Sequence, residues 1–151
     1  MDTFSYQTWF AVRYVHVVSV TLLIGGALTV CALSGSSAAG LDMPAALVAA
    51  VMYERAFWLV AGVTVATGVS NLGLKGDGVV GPDTAWGAAL SLKLTLALML
   101  LALSLVRTDF VARSPAPTSR ARMVLIALYG GTGAALLAAL WIGLGLAHGR
   151  Y

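Results

Sequence analysis

"TWFAVRYVHVVSVTLLIGGALTVCALSG", residues 8–35, decides the architecture. From Tyr14 to Leu41 the chain carries no Asp, Glu, Lys or Arg, and a helix needs only about 20 apolar residues to cross a bilayer. Three comparable runs follow: Ala56 to Leu74, Thr84 to Val106 with Lys93 as its one charge, and Met123 to Ala147. Composition agrees, with 60% hydrophobic residues, 10% charged residues and a mean hydropathy of +0.91, values of an integral membrane protein. The 151 residues read as one transmembrane domain, 1–151. It is all-α, an integral membrane four-helix bundle of antiparallel up-down topology, with spans expected near 9–33, 55–75, 84–108 and 122–148.

The opening "MDTFSYQ" is acidic and the run behind it is long enough to span, so the first helix is expected to stay in the mature protein. The single cysteine, Cys31, allows no internal disulfide and no cysteine-pair metal or redox motif. Arginine placement sets the orientation, because Lys and Arg are retained on the cytoplasmic side. The end of the bundle opposite the termini receives Arg55, Arg107, Arg113, Arg120 and Arg122. The end that holds the termini has Lys75, Arg150 and Arg13, offset by Asp2, Asp77 and Asp83. The expectation is N-out and C-out, and the net charge of +3 is this topological signal rather than a nucleic-acid surface.

Asp42 and Pro44 are placed as N-cap and first-turn residues of a helix that begins before its hydrocarbon span, outside it or partly along the interface. "SPAPTS" (114–119) breaks the chain between the third and fourth helices. Small residues in "IGGAL", "VATGVSNLGLKG" and "YGGTGAALLAAL" let helix backbones approach where lipid offers no hydrophobic drive.

Trp9 and Trp86 fit the outer aromatic belt, and His16 and Lys93 each follow their tryptophan by seven residues. The first and third helices run in the same direction, so both polar groups lie roughly 10 Å below one belt. Trp9, Arg13 and His16 share a face at i, i+4, i+7. Asn71 approaches that level from the second helix, and His148 ends the fourth at its rim. Each residue also has a plainer role. Lys93 can snorkel to the interface, Arg13 can anchor among headgroups, and His16 can be a neutral, hydrogen-bonded core histidine. His148 can be a terminal surface histidine, and Asn71 interhelical glue. Glu54 and Arg55 read as an interfacial cap beside Trp58 of the inner belt, with Glu54 able to pair with Arg107 or Arg122. The methionines form no one-sided ladder, and Cys31 lies about 22 Å along the axis from His16, too far to share an ion with it.

At these residues a resemblance enters. "TWFAVRYVHVVSVTLLIGGAL" resembles the first helix of the CopD family of bacterial inner-membrane copper-resistance proteins. "FWLVAGVTVATGVSNL" and "TAWGAALSLKLTLALMLLAL" are similar to that family's second and third segments. The histidine on the first helix and lysine on the third are similar to the HemJ family of haem-binding protoporphyrinogen oxidases. The resemblance implies a bacterial inner-membrane location, with copper bound, passed or delivered at an outer-leaflet site where His16 and His148 are the ligands. In the HemJ branch it implies haem b on His16, with Lys93 as its partner and oxidoreductase chemistry as the activity. A third function is that of a cofactor-free accessory subunit. The chain has little extramembrane mass for a soluble active site of its own, so a larger membrane complex or a homo-oligomer is expected beside the lipid bilayer.

Overall fold

The computed structural model describes residues 3–36, 43–74, 83–113 and 118–147. These form α1 (Thr3–Ser36), α2 (Met43–Leu74), α3 (Ala85–Ala112) and α4 (Ser119–Ala147). All four are long and apolar enough to cross a membrane, and they pack as one all-α bundle. Each helix outruns its expected hydrocarbon span at one end or both. The second extends farthest, one continuous helix from Met43 that begins well before its expected span, between the Asp42 and Pro44 expected at its start. Its first turns are tied down by packing, with Ala46 and Ala50 fully buried and Met43, Leu47 and Val51 against the core. Asp42 lies outside the described residues, as does most of the breaker segment.

Two helix starts have side-chain caps. Thr84 accepts a hydrogen bond from the Gly87 amide at 3.0 Å, and Thr118 accepts one from the Ala121 amide at 3.1 Å. Each satisfies one of the amides that a helix start leaves without an intrahelical partner.

The helices form a ring in the order α2, α1, α4, α3. The α2–α1, α1–α4 and α4–α3 seams are backbone-close, whereas α2 and α3 stand farthest apart of the adjacent pairs. Glycine sets the closest approach of α1 to α2. A methyl group on Gly26 would come within 2.5 Å of the Tyr53 ring, and the Tyr53 hydroxyl donates to the Leu23 carbonyl at 3.1 Å. Across the α1–α4 seam, a methyl on Gly133 would lie 3.0 Å from Leu28. Gly25 and Gly131 have nothing facing them, so in each Gly-Gly pair one residue meets a neighbouring helix and the other looks outward. Large apolar side chains such as Leu59, Val69, Leu98 and Trp141 are exposed. Such a surface suits lipid and not water.

Candidate functional site

Polar groups inside the bundle gather in two layers. At the terminal end the outer layer centres on His16. Its Nδ1 lies 3.0 Å from the Thr64 carbonyl and 3.0 Å from the Thr67 hydroxyl oxygen. A carbonyl only accepts, so Nδ1 carries the proton. The Thr67 hydroxyl gives its own hydrogen to its helix, at 2.7 Å from the Val63 carbonyl, and is left to accept. In the neutral imidazole the other nitrogen, Nε2, is therefore a bare lone pair. It has no hydrogen-bond partner among the described residues.

The local sequence makes this geometry possible. Thr64, Thr67, Gly68 and Asn71 recur at i, i+3, i+4 and i+7 on α2, and so share one face. Gly68 leaves room for the ring, since a methyl there would come within 3.3 Å of His16 Cε1. Below the ring the Ser19 hydroxyl donates to the His16 carbonyl at 2.8 Å and accepts from the Thr64 hydroxyl at 2.8 Å. The imidazole is thus held by two helices.

Lys93 faces the same layer and lies within electrostatic range of His16. Its ammonium is laid across the bundle, because a methyl on Gly143 of α4 would come within 2.9 Å of Nζ. Leu146 packs with Ala89 and Leu90, so Gly143, three residues earlier on the antiparallel helix, stands level with Lys93. The stem runs sideways and does not snorkel outward. Among the described residues no carboxylate pairs with Lys93, and no hydrogen bond satisfies it. Asn71 sits one turn from Gly68 toward the terminal end, and its Oδ1 is buried with no hydrogen-bond partner among the described residues. Arg13 stacks over Trp9 at 5.1 Å, and Tyr6 is 6.2 Å from the Trp9 ring, a cluster suited to an interfacial anchor. Trp86 packs against the cluster of Ala89, Leu90 and Leu146, as do Leu72 and Ile142. His148 lies outside the described residues.

Of the inner layer, the sequence offered the pairing of Glu54 with Arg107 or Arg122, and the structure takes the first, but as part of a buried network and not as an interfacial pair. Arg107, expected in a loop, is fully buried in α3, and Glu54, expected at the interface, is 5% exposed. Arg107 Nε donates to Glu54 Oε1. The same carboxylate accepts from the Tyr129 hydroxyl at 2.7 Å and from the Thr108 hydroxyl at 2.7 Å. The other guanidinium nitrogens donate to Thr132 at 2.8 Å and Ser104 at 3.3 Å. Its face is walled by the rings of Phe57, Tyr53 and Tyr129, at 4.5, 4.9 and 5.1 Å. Trp58 extends the network by donating to Thr108 at 3.3 Å. A usable signal existed in the spacings Tyr53/Phe57, Ser104/Arg107/Thr108 and Tyr129/Thr132, each a polar or aromatic stripe on one helix face. It was masked by the neighbouring arginine-rich loop.

Every nitrogen of the guanidinium and both oxygens of the carboxylate have a hydrogen-bond partner within the bundle, so the inner layer is a closed cage. The outer layer is the reverse: among the described residues a lone pair of His16, the ammonium of Lys93 and the amide oxygen of Asn71 have no partner. Ten residues of α2 separate Glu54 from Thr64, about 15 Å of helix. Val20, Leu23, Phe57, Ala61, Leu100 and Leu136 fill the interval.

No protein-family model, curated protein or solved structure matches the chain. Fold and geometry define a class: a multi-pass α-helical membrane protein whose bundle holds a closed ion-pair cage and an open polar site.

Proposed function

We propose that this membrane protein binds haem b through His16 Nε2. The observation that carries the proposal is the hydrogen bond of His16 Nδ1 to the Thr64 carbonyl. Metal-bound histidines generally donate their second ring nitrogen to a carbonyl or carboxylate in this way, which fixes the tautomer and raises the basicity of the ligating nitrogen. The donor set also separates haem from copper. A haem iron brings four pyrrole nitrogens and asks the protein for one or two further donors, whereas Cu(I) asks for several sulfur or imidazole ligands from the chain itself. Among the described residues no three His, Cys, Asp or Glu side chains come together to hold a metal ion.

When bound, haem b supplies one-electron chemistry. The chain's contribution is to orient the imidazole with Thr64, Thr67 and Ser19, and to insulate the site from the opposite end by the apolar interval. We place the terminal end outside the cytoplasm of a bacterial inner membrane, because the described arginines Arg55, Arg113, Arg120 and Arg122 all belong to the other end.

The test is the reduced-minus-oxidised visible spectrum of the gently solubilised protein, with copper measured on the same sample. A Soret band with α and β bands, lost in His16→Ala, is the expected result. Copper lost in the same variant would replace haem by a CopD-like copper-handling function. Neither cofactor would leave the accessory-subunit function and overturn the proposal.

A further inference from the structure

Lys93 brings a positive charge to the level of the His16 ring, and nothing described in the bundle cancels it. The level follows from packing. The His16 ring lies against Gly68 of α2, one turn inward from Leu72, and Leu72 packs against the cluster of Ala89, Leu90 and Leu146. Lys93 stands one turn inward from the same Ala89 and Leu90 on α3, and it is within electrostatic range of His16. Its tip occupies the notch that Gly143 leaves in α4, where a methyl would lie 2.9 Å from Nζ and 3.5 Å from Cε.

The other helices offer this charge no counter-ion. The described ion pairs are Glu54–Arg107 and Asp109–Arg113, both toward the opposite end. Between Arg13 and the Glu54–Arg107 pair, the described residues of all four helices carry no Asp, Glu, Lys or Arg except Lys93. Arg13 is itself a cation, stacked over Trp9, and α2 presents only hydroxyls and the Asn71 amide. Apolar side chains pack the bundle on both sides of the layer.

The consequence is electrostatic. Oxidising a ferrous iron to ferric adds one positive charge, and a nearby cation opposes that addition far more strongly in an apolar surround than in water. Burial and local polarity are among the means by which a protein sets a haem's potential.

We propose that Lys93, acting through its charge and not as an iron ligand, raises the reduction potential of haem b held by His16 and so favours the ferrous state. This rests on the haem binding proposed above.

The experiment is a spectroelectrochemical titration of the α band of the full-length haem-loaded protein in phosphatidylcholine nanodiscs. At the wild-type midpoint, Lys93→Met is expected to hold a ratio of reduced to oxidised haem about tenfold lower, and Lys93→Arg to stay within about twofold of wild type, because the charge is kept. An unchanged or higher midpoint in Lys93→Met would overturn the proposal. So would a Lys93→Arg midpoint as low as that of Lys93→Met, since arginine restores the charge but not an amine ligand. Should Lys93→Met fail to fold, Lys93→Gln is read in its place against the same expectation. A wild type with no Soret band is a different failure: it overturns haem binding itself, and this inference with it.

Discussion

At the scale of single residues, two side chains carry the account for opposite reasons. His16 matters for the nitrogen it leaves free, and Arg107 for having each of its three nitrogens engaged. Removing one member of a buried ion pair strands the other charge and typically costs about 3–5 kcal/mol, while replacing both by apolar groups of similar size is often neutral. Glu54→Leu and Arg107→Met are each expected to destabilise the bundle by that amount, and the double variant to recover most of the loss. Chemical or thermal unfolding in detergent measures this, and a double variant as unstable as the two single losses added would contradict it. Tyr129→Phe removes one of the donors to the Glu54 carboxylate and is expected to cost about 1–3 kcal/mol in the same assay. Part of this chemistry was legible in the sequence. The seven-residue offsets from Trp9 and Trp86 put His16 and Lys93 at one level, and the structure brings them within electrostatic range. The pairing of Glu54 with Arg107 was legible as one of two alternatives, but its burial and the rest of the cage were not, because Arg107 opens a run that reads as a positive cytoplasmic loop and Glu54 sits beside the exposed Arg55. Only the packing of α2, α3 and α4 shows that these charges turn inward.

At the scale of the elements, the apolar runs located four helices but could not fix their ends. Hydropathy reports where lipid stops, and a helix continues as long as its backbone and packing allow. The first three turns of α2 show the difference. They pack Ala46 and Ala50 against the rest of the bundle and carry the helix to Met43, well ahead of the expected span. The glycine-rich motifs were read as close-approach sites, and the face that uses each became visible only in three dimensions. Gly26 is the sharpest case, because the Tyr53 ring over it also walls the guanidinium of Arg107. Gly26→Ala is expected to displace that ring and cost about 1–3 kcal/mol, as overpacking generally does. Gly25→Ala, with nothing facing it, serves as the control for helix propensity. Equal stability of the two variants would show that Tyr53 does not pack as described.

At the scale of the whole molecule, the bundle is organised along its axis. The closed cage ties α2, α3 and α4 together toward the arginine-rich end, an apolar interval of about 15 Å follows, and the open site lies toward the termini. A cage in which every guanidinium nitrogen and carboxylate oxygen is engaged fixes which helix faces meet. In a membrane that specificity has to come from packing and polar contacts, since lipid tails are as apolar as the helix surfaces. The open site spends that rigidity on holding one imidazole in one tautomer. The most direct test of that claim is ligand replacement. His16→Gly is purified with and without imidazole, and the Soret region is recorded after addition of haemin. The account predicts a spectrum that is lost in the variant and restored by imidazole acting as the missing side chain. A variant that keeps the wild-type spectrum without imidazole would contradict it.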